Sequence, residues 1–209
     1  RNVCYMVKLG FSAFLCEVAL GSMMFVGNIT FLNHMGNAGV AAFSVACYLI
    51  PIMFMVYEAI AQSAQPIISF NHGLGIRSRV IKAFMLSIIS SIICGLFFAI
   101  MLFCYTDVIV KLFINEGEEA HNIAIYGLPY FAIGLIPFAF NIVVIGYYQS
   151  VDRPRPATIV TLLRGFVLLI LSFYAMPMLM DDMGVWLAIA VAETFTAVYI
   201  IATSLLNRR

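Results

Sequence analysis

Three acidic residues, Glu17, Glu58 and Glu193, stand in the middle of segments that otherwise read as membrane-spanning helices. An acid at bilayer depth costs about 2.5 to 3.5 kcal/mol on insertion scales, so each needs a partner, a proton or a water-filled cavity. Such residues mark ion and substrate paths, which makes all three candidates for coupling a cation to transport. Their other role is as one half of a helix–helix ion pair, and Arg164 is the candidate partner. It lies about as far into its own helix as Glu17 lies into the first, so the two are at similar depth. No His pair, Gly-x-Ser-x-Gly or Asp pair at catalytic spacing accompanies them, which argues against an enzyme.

Other polar residues fall at helical spacing around these acids. Residues 3, 4, 7 and 11 apart share a helix face, and Glu17, Gly21, Met24 and Asn28 line one such face in the first segment. Glu58, Gln62, Gln65 and Ser69 line another, where Pro66 leaves a carbonyl without its usual donor. Backbone of that kind is tolerated at depth only beside protein or a wet cavity. Gly134, Pro137 and Asn141 share a face of the fourth segment. Together the three faces could line a central cavity, with Met24, Met53, Met55 and Phe140 as lining suited to bulky lipophilic cations. The plainer role for single Asn, Gln and Gly residues is interhelical hydrogen bonding and close packing. His34, His72 and His121 fall at helix ends, where solvated or capping roles are expected.

The elements that carry these residues are set by composition. The 209-residue chain is 64% hydrophobic and 10% charged, with a mean hydropathy of +1.04, against about 45 to 50% apolar and 25% charged in soluble domains. A span takes about 20 mostly apolar residues. Six segments qualify, at about 9–32, 40–70, 83–105, 121–148, 157–180 and 184–206, and they leave little for a soluble domain. The expected fold is therefore an all-α membrane protein of six transmembrane helices in a single lobe, 1–209. Pro51 and Pro66 favour kinks or a break in the second span, and Pro129 and Pro137 a bend in the fourth. The cysteines, at 4, 16, 47, 94 and 104, form no Cys-x-x-Cys and imply neither disulfide framework nor metal site. The first apolar stretch is too long for a signal-peptide core and reads as a retained helix. The chain opens on Arg1 and is read as a fragment or excised half of something longer.

Positive residues fix the orientation, since short cytoplasmic loops collect Lys and Arg. Arg1, Lys8, Arg77, Arg79, Lys82, Arg153, Arg155, Arg164, Arg208 and Arg209 fall on one face, and Lys111 on the other among Asp107, Glu116, Glu118 and Glu119. Both termini are thus cytoplasmic. Arg77, Arg79 and Lys82 are read as topology determinants rather than as a lipid-binding cluster. Trp186 and Tyr105 fall at the outer boundary, and Tyr5, Tyr147 and Tyr148 at the inner one, as aromatic belts do.

Several stretches resemble the C-terminal six-helix lobe of multidrug and toxic compound extrusion (MATE) transporters. They are Lys8-Leu9-Gly10-Phe11 leading to Glu17, Leu32 through Ala42, Gln62-Ser63-Ala64-Gln65-Pro66-Ile67-Ile68-Ser69-Phe70-Asn71-His72-Gly73, Tyr148-Gln149-Ser150, Leu163-Arg164, and Gly184-Val185-Trp186 with Ala192-Glu193. The resemblance implies twelve helices in two lobes and export of organic cations in exchange for H+ or Na+. Glu17 matches the acid on the first helix of the second lobe. The sodium-coupled branch carries a second acid on the helix matching the fourth span, and Tyr126 to Gln149 contains none. The role of Glu58 does not carry over, since a small residue is expected there.

Alternating access by rocking of two lobes is the implied mechanism. Glu17 would hold a proton in one state and a cationic drug in the other. The implied partners are the lipid bilayer, small organic cations, and the missing N-terminal lobe or a second copy, in what is expected to be a bacterial inner membrane. No cofactor and no nucleic acid are implied. Two other readings stand beside this one: a lipid or oligosaccharide-intermediate flippase, favoured by a more basic cavity, and a non-transporting membrane subunit, which would need no acids at depth.

Overall fold

The computed structural model describes residues 2–206. Arg1, Arg208 and Arg209, and the side chains of Cys4, Tyr5, Lys8 and Leu9, lie outside the described residues. The elements of the described chain are all helical: α1 (Asn2–Gly73), α2 (Arg77–Cys104), α3 (Thr106–Lys111), α4 (Glu119–Ile133), α5 (Leu135–Ser150), α6 (Pro154–Leu162), a π-helical turn (Leu163–Val167) and α7 (Leu168–Leu206).

The two longest runs are hairpins. At 1.5 Å per residue, Phe31 and Phe43 would stand about 18 Å apart in a straight helix, yet their rings stack with centroids 4.4 Å apart. The corner is Gly36, whose φ of 62° and ψ of −155° are closed to residues with a Cβ. In α7 the reversal falls at Met180 and Asp181, and it brings Glu193 back onto the Arg164 side chain. With α2 and the α4–α5 pair, which meet at 44°, the chain makes six apolar passes: residues 2–35, 37–73, 77–104, 119–150, 154–179 and 182–206.

Pro51 and Pro66 do not break the second pass. Each removes one helix hydrogen bond, but the backbone stays helical at both, and within α1 only Gly36 departs from helical angles. The bend in the fourth pass falls at Gly134, where a Cβ would lie 2.8 Å from the Ala190 Cα. Gly134 is therefore pressed on the sixth pass rather than facing a cavity.

Trp186 is buried, not part of an interfacial belt. It is 1% exposed and meets Phe31 edge-on at 4.7 Å, which ties the outer end of the sixth pass to the Gly36 corner. His121 is also buried, with Nε2 3.9 Å from Asp107, so it is neither solvated nor a cap. Lys111 pairs with Asp107 at 2.5 Å and Glu116 at 2.8 Å, and these hydrogen bonds hold its ammonium above its ordinary value. On the charge pattern, this end is expected to be extracytoplasmic. In a background stripped of native cysteines, Glu118→Cys is expected to react with an impermeant thiol reagent from outside and Ser78→Cys only after permeabilisation. The reverse labelling would overturn the orientation.

Candidate functional site

Besides the Lys111 cluster, two polar constellations form among the described residues, one buried and one open. The buried one joins three passes. Arg164 donates from Nη2 to Glu193 Oε1 at 2.5 Å and from Nε to both carboxylate oxygens at 3.1 and 3.2 Å. Asn141 Nδ2 donates to Glu193 Oε2 at 2.7 Å and to the Glu193 carbonyl at 2.9 Å. The guanidinium also lies 4.6 Å from the centroid of the Phe138 ring, a cation–π contact. Arg164 is 5% exposed, Glu193 1% and Asn141 0%.

This corrects the pairing expected from depth. Arg164 is an ion-pair residue, but its partner is Glu193 and not Glu17. The π-helical turn that contains Arg164 packs Gly165 on Ala19 of the first pass, where Ser22 Oγ donates to the Gly165 carbonyl at 2.6 Å. The turn brings the guanidinium to the sixth pass, with Cys16 beside it. Glu193 is thereby committed to a structural pair, and Asn141 serves that pair rather than lining a cavity.

The open constellation lies on the α1 hairpin. A cavity of about 320 Å³ between both arms of α1 and α5 is lined by Glu58, Gln62, Gln65, Gln149, Cys16 and Phe54, among others. Gln65 Nε2 donates to Gln149 Oε1 at 3.4 Å across it. The carboxyl groups of Glu17 and Glu58 lie within hydrogen-bonding reach of each other. Glu17 is exposed and Glu58 half-buried, so this polar face is not covered by the lobe itself. Two carboxyl groups so placed can share a proton or a cation.

Other residues expected to line a central cavity do not line this pocket. Asn28 donates to its own helix, from Nδ2 to the Met24 carbonyl at 2.9 Å, and Met24 and Phe140 are half-buried away from the cavity wall. Met53 is 1% exposed in the core and Met55 67% exposed on the outer surface. Pro66 is exposed beside Gln65 and does not line the cavity. Phe54, Cys16 and Gln149 were not singled out from sequence as lining. Ile142, Ile145, Gly146 and Gln149 do share one helix face by spacing, which is the signal that could have found Gln149. Among the described residues no three His, Cys, Asp or Glu side chains cluster as a metal site.

The described residues thus form a helical lobe of six apolar passes with an uncovered acidic face. The chain belongs to the MatE family, whose model matches residues 14–175. It is similar in structure to an outward-facing multidrug resistance MATE family transporter of the MOP superfamily, with a TM-score of 0.88, 17% identity and coverage of 100% of this chain and 48% of that one. An inward-facing structure of such a transporter gives 0.84 and 16%, covering 97% and 48%. A MOP superfamily transporter from Pyrococcus furiosus Vc1 (DSM3638), described with a binding pocket of reverse polarity that suggests a different function, gives 0.86 and 16%, covering 95% and 45%. No curated protein matches by sequence. The chain thus spans about half the length of these transporters, as one lobe does.

Proposed function

We propose that this chain is the C-terminal lobe of a cation-coupled antiporter that exports lipophilic or cationic organic compounds by alternating access. The observation that carries the reading is the juxtaposition of Glu17 and Glu58 on an uncovered polar face of an otherwise apolar lobe. In the assembled transporter that face meets a second lobe, the missing half of the same protein or another copy, across a central cavity. The carboxyl pair holds H+ or Na+ in one state and attracts the organic cation in the other, so the two occupants exclude each other. The likeness of the lobe to both outward- and inward-facing transporters, at TM-scores of 0.88 and 0.84, suits lobes that rock as rigid bodies. The reading places the protein in a bacterial inner membrane. A flippase for anionic intermediates fits less well, because the charged residue lining the cavity is acidic.

The test is counterflow. In proteoliposomes containing the transporter of which this lobe is part, ethidium accumulation is expected to follow an imposed H+ or Na+ gradient and to vanish with an ionophore that collapses it. Accumulation indifferent to both gradients would sink the antiport reading.

A further inference from the structure

A second cavity, of about 750 Å³, opens between the cytoplasmic half of the second pass and the start of α2. Arg79 and Lys82 stand on its wall at the membrane boundary, and Ser63, Ile67 and Leu86 line it toward bilayer depth. The end that holds the cations is unusual for a helix start. A helix N-terminus carries about half a positive charge and favours acids, yet α2 begins at Arg77 with no acidic residue in its first turn and no side-chain cap. Arg77, Arg79 and Lys82 add their charge to that of the helix. Asn71 also lines the groove: it is 6% exposed, donates from Nδ2 to the Ile67 carbonyl at 2.8 Å, and leaves Oδ1 without a partner, an acceptor that a hydroxyl-bearing headgroup, rather than its phosphate, would fill.

A groove that is cationic at the interface and apolar within has the polarity of a phospholipid in reverse. Basic pockets between membrane helices on the cytoplasmic side hold anionic lipid headgroups. We propose that this groove binds one anionic phospholipid of the inner leaflet, its phosphodiester between Arg79 and Lys82 and an acyl chain along Ile67 and Leu86. The site is separate from the Glu17 and Glu58 face and does not depend on what the transporter exports. It assigns the cluster a ligand as well as a part in setting topology.

The transporter containing this lobe, purified from nanodiscs containing phosphatidylcholine and phosphatidylglycerol in a four-to-one ratio, is the sample, and native mass spectrometry of retained lipid is the measurement. One phosphatidylglycerol per chain is expected, in excess of its share of the bilayer. A basic residue at an anionic surface is worth about a factor of five, so Arg79→Gln with Lys82→Gln is expected to weaken retention about 25-fold. The control with the same charge change, Arg153→Gln with Arg155→Gln, is expected to leave it unchanged. Ser63→Phe keeps the charge but blocks the groove, and should lose the lipid too. Added inorganic phosphate should not displace it. Retention in bilayer proportion, equal loss in both charge variants, full retention with Ser63→Phe, or displacement by phosphate would each overturn the proposal. So would a groove without lipid, as expected if the facing lobe or a second copy fills it.

Discussion

Glu193→Ala is expected to destabilise the lobe by about 3 to 5 kcal/mol, because it leaves the Arg164 guanidinium buried without its counter-charge. Arg164 is held by Glu193 through three hydrogen bonds and has little route to water. Asn141 Nδ2 would keep only its backbone contact. Chemical denaturation in detergent micelles reads the effect directly. Arg164→Leu combined with Glu193→Leu should recover most of the loss, since well-packed apolar residues often replace a buried pair at little cost. A single-variant loss below about 1 kcal/mol, the value of an exposed pair, would show that water reaches the pair and that it does not pin the three passes together.

Glu17→Gln has the opposite signature. The side chain is exposed and unpaired with any cation in the described contacts, so stability should change by no more than about 0.5 kcal/mol. Gradient-driven efflux by the transporter containing this lobe is expected to fall to the uncoupled background, because a permanently neutral group cannot alternate between a coupling ion and a cationic substrate. Folding should persist, with binding of the organic cation weakened but retained through Glu58. Glu58→Gln should give the same loss if the two carboxyls share one ion. Efflux that survives both changes with its ion dependence intact would remove the pair from the mechanism.

The two substitutions also mark where the sequence was legible. Depth could be counted: apolar runs gave the passes, and the one-sided placement of positive charge in the loops gave an expected orientation. Azimuth could not. Arg164 and Glu17 lie at similar depth, but a π-helical turn and the packing of Gly165 on Ala19 decide which neighbour the guanidinium meets. Neither is visible as a period in the chain. Asn141 failed for the same reason, since its shared face with Gly134 is real but is turned to the sixth pass. Glu17 and the Glu58 stripe were readable because their polarity is out of place at that depth, and no packing detail is needed to notice it. Trp186 was misplaced because an aromatic near a boundary looks alike whether it faces lipid or the core. The structure decides by adding Phe31 and Phe43, 155 and 143 residues away in sequence.

The corner at Gly36 makes the two acids the tips of one pair of tongs. Glu17 is nineteen residues from it and Glu58 twenty-two, so the arms reach about 28 and 33 Å at 1.5 Å per residue. A splay of about 5° at the pivot would part the tips by about 2.5 Å over arms of that length. That is enough to change the spacing of two neighbouring carboxyl groups. A small torsional adjustment at the corner can therefore be read out as a change in charge spacing far along the arms.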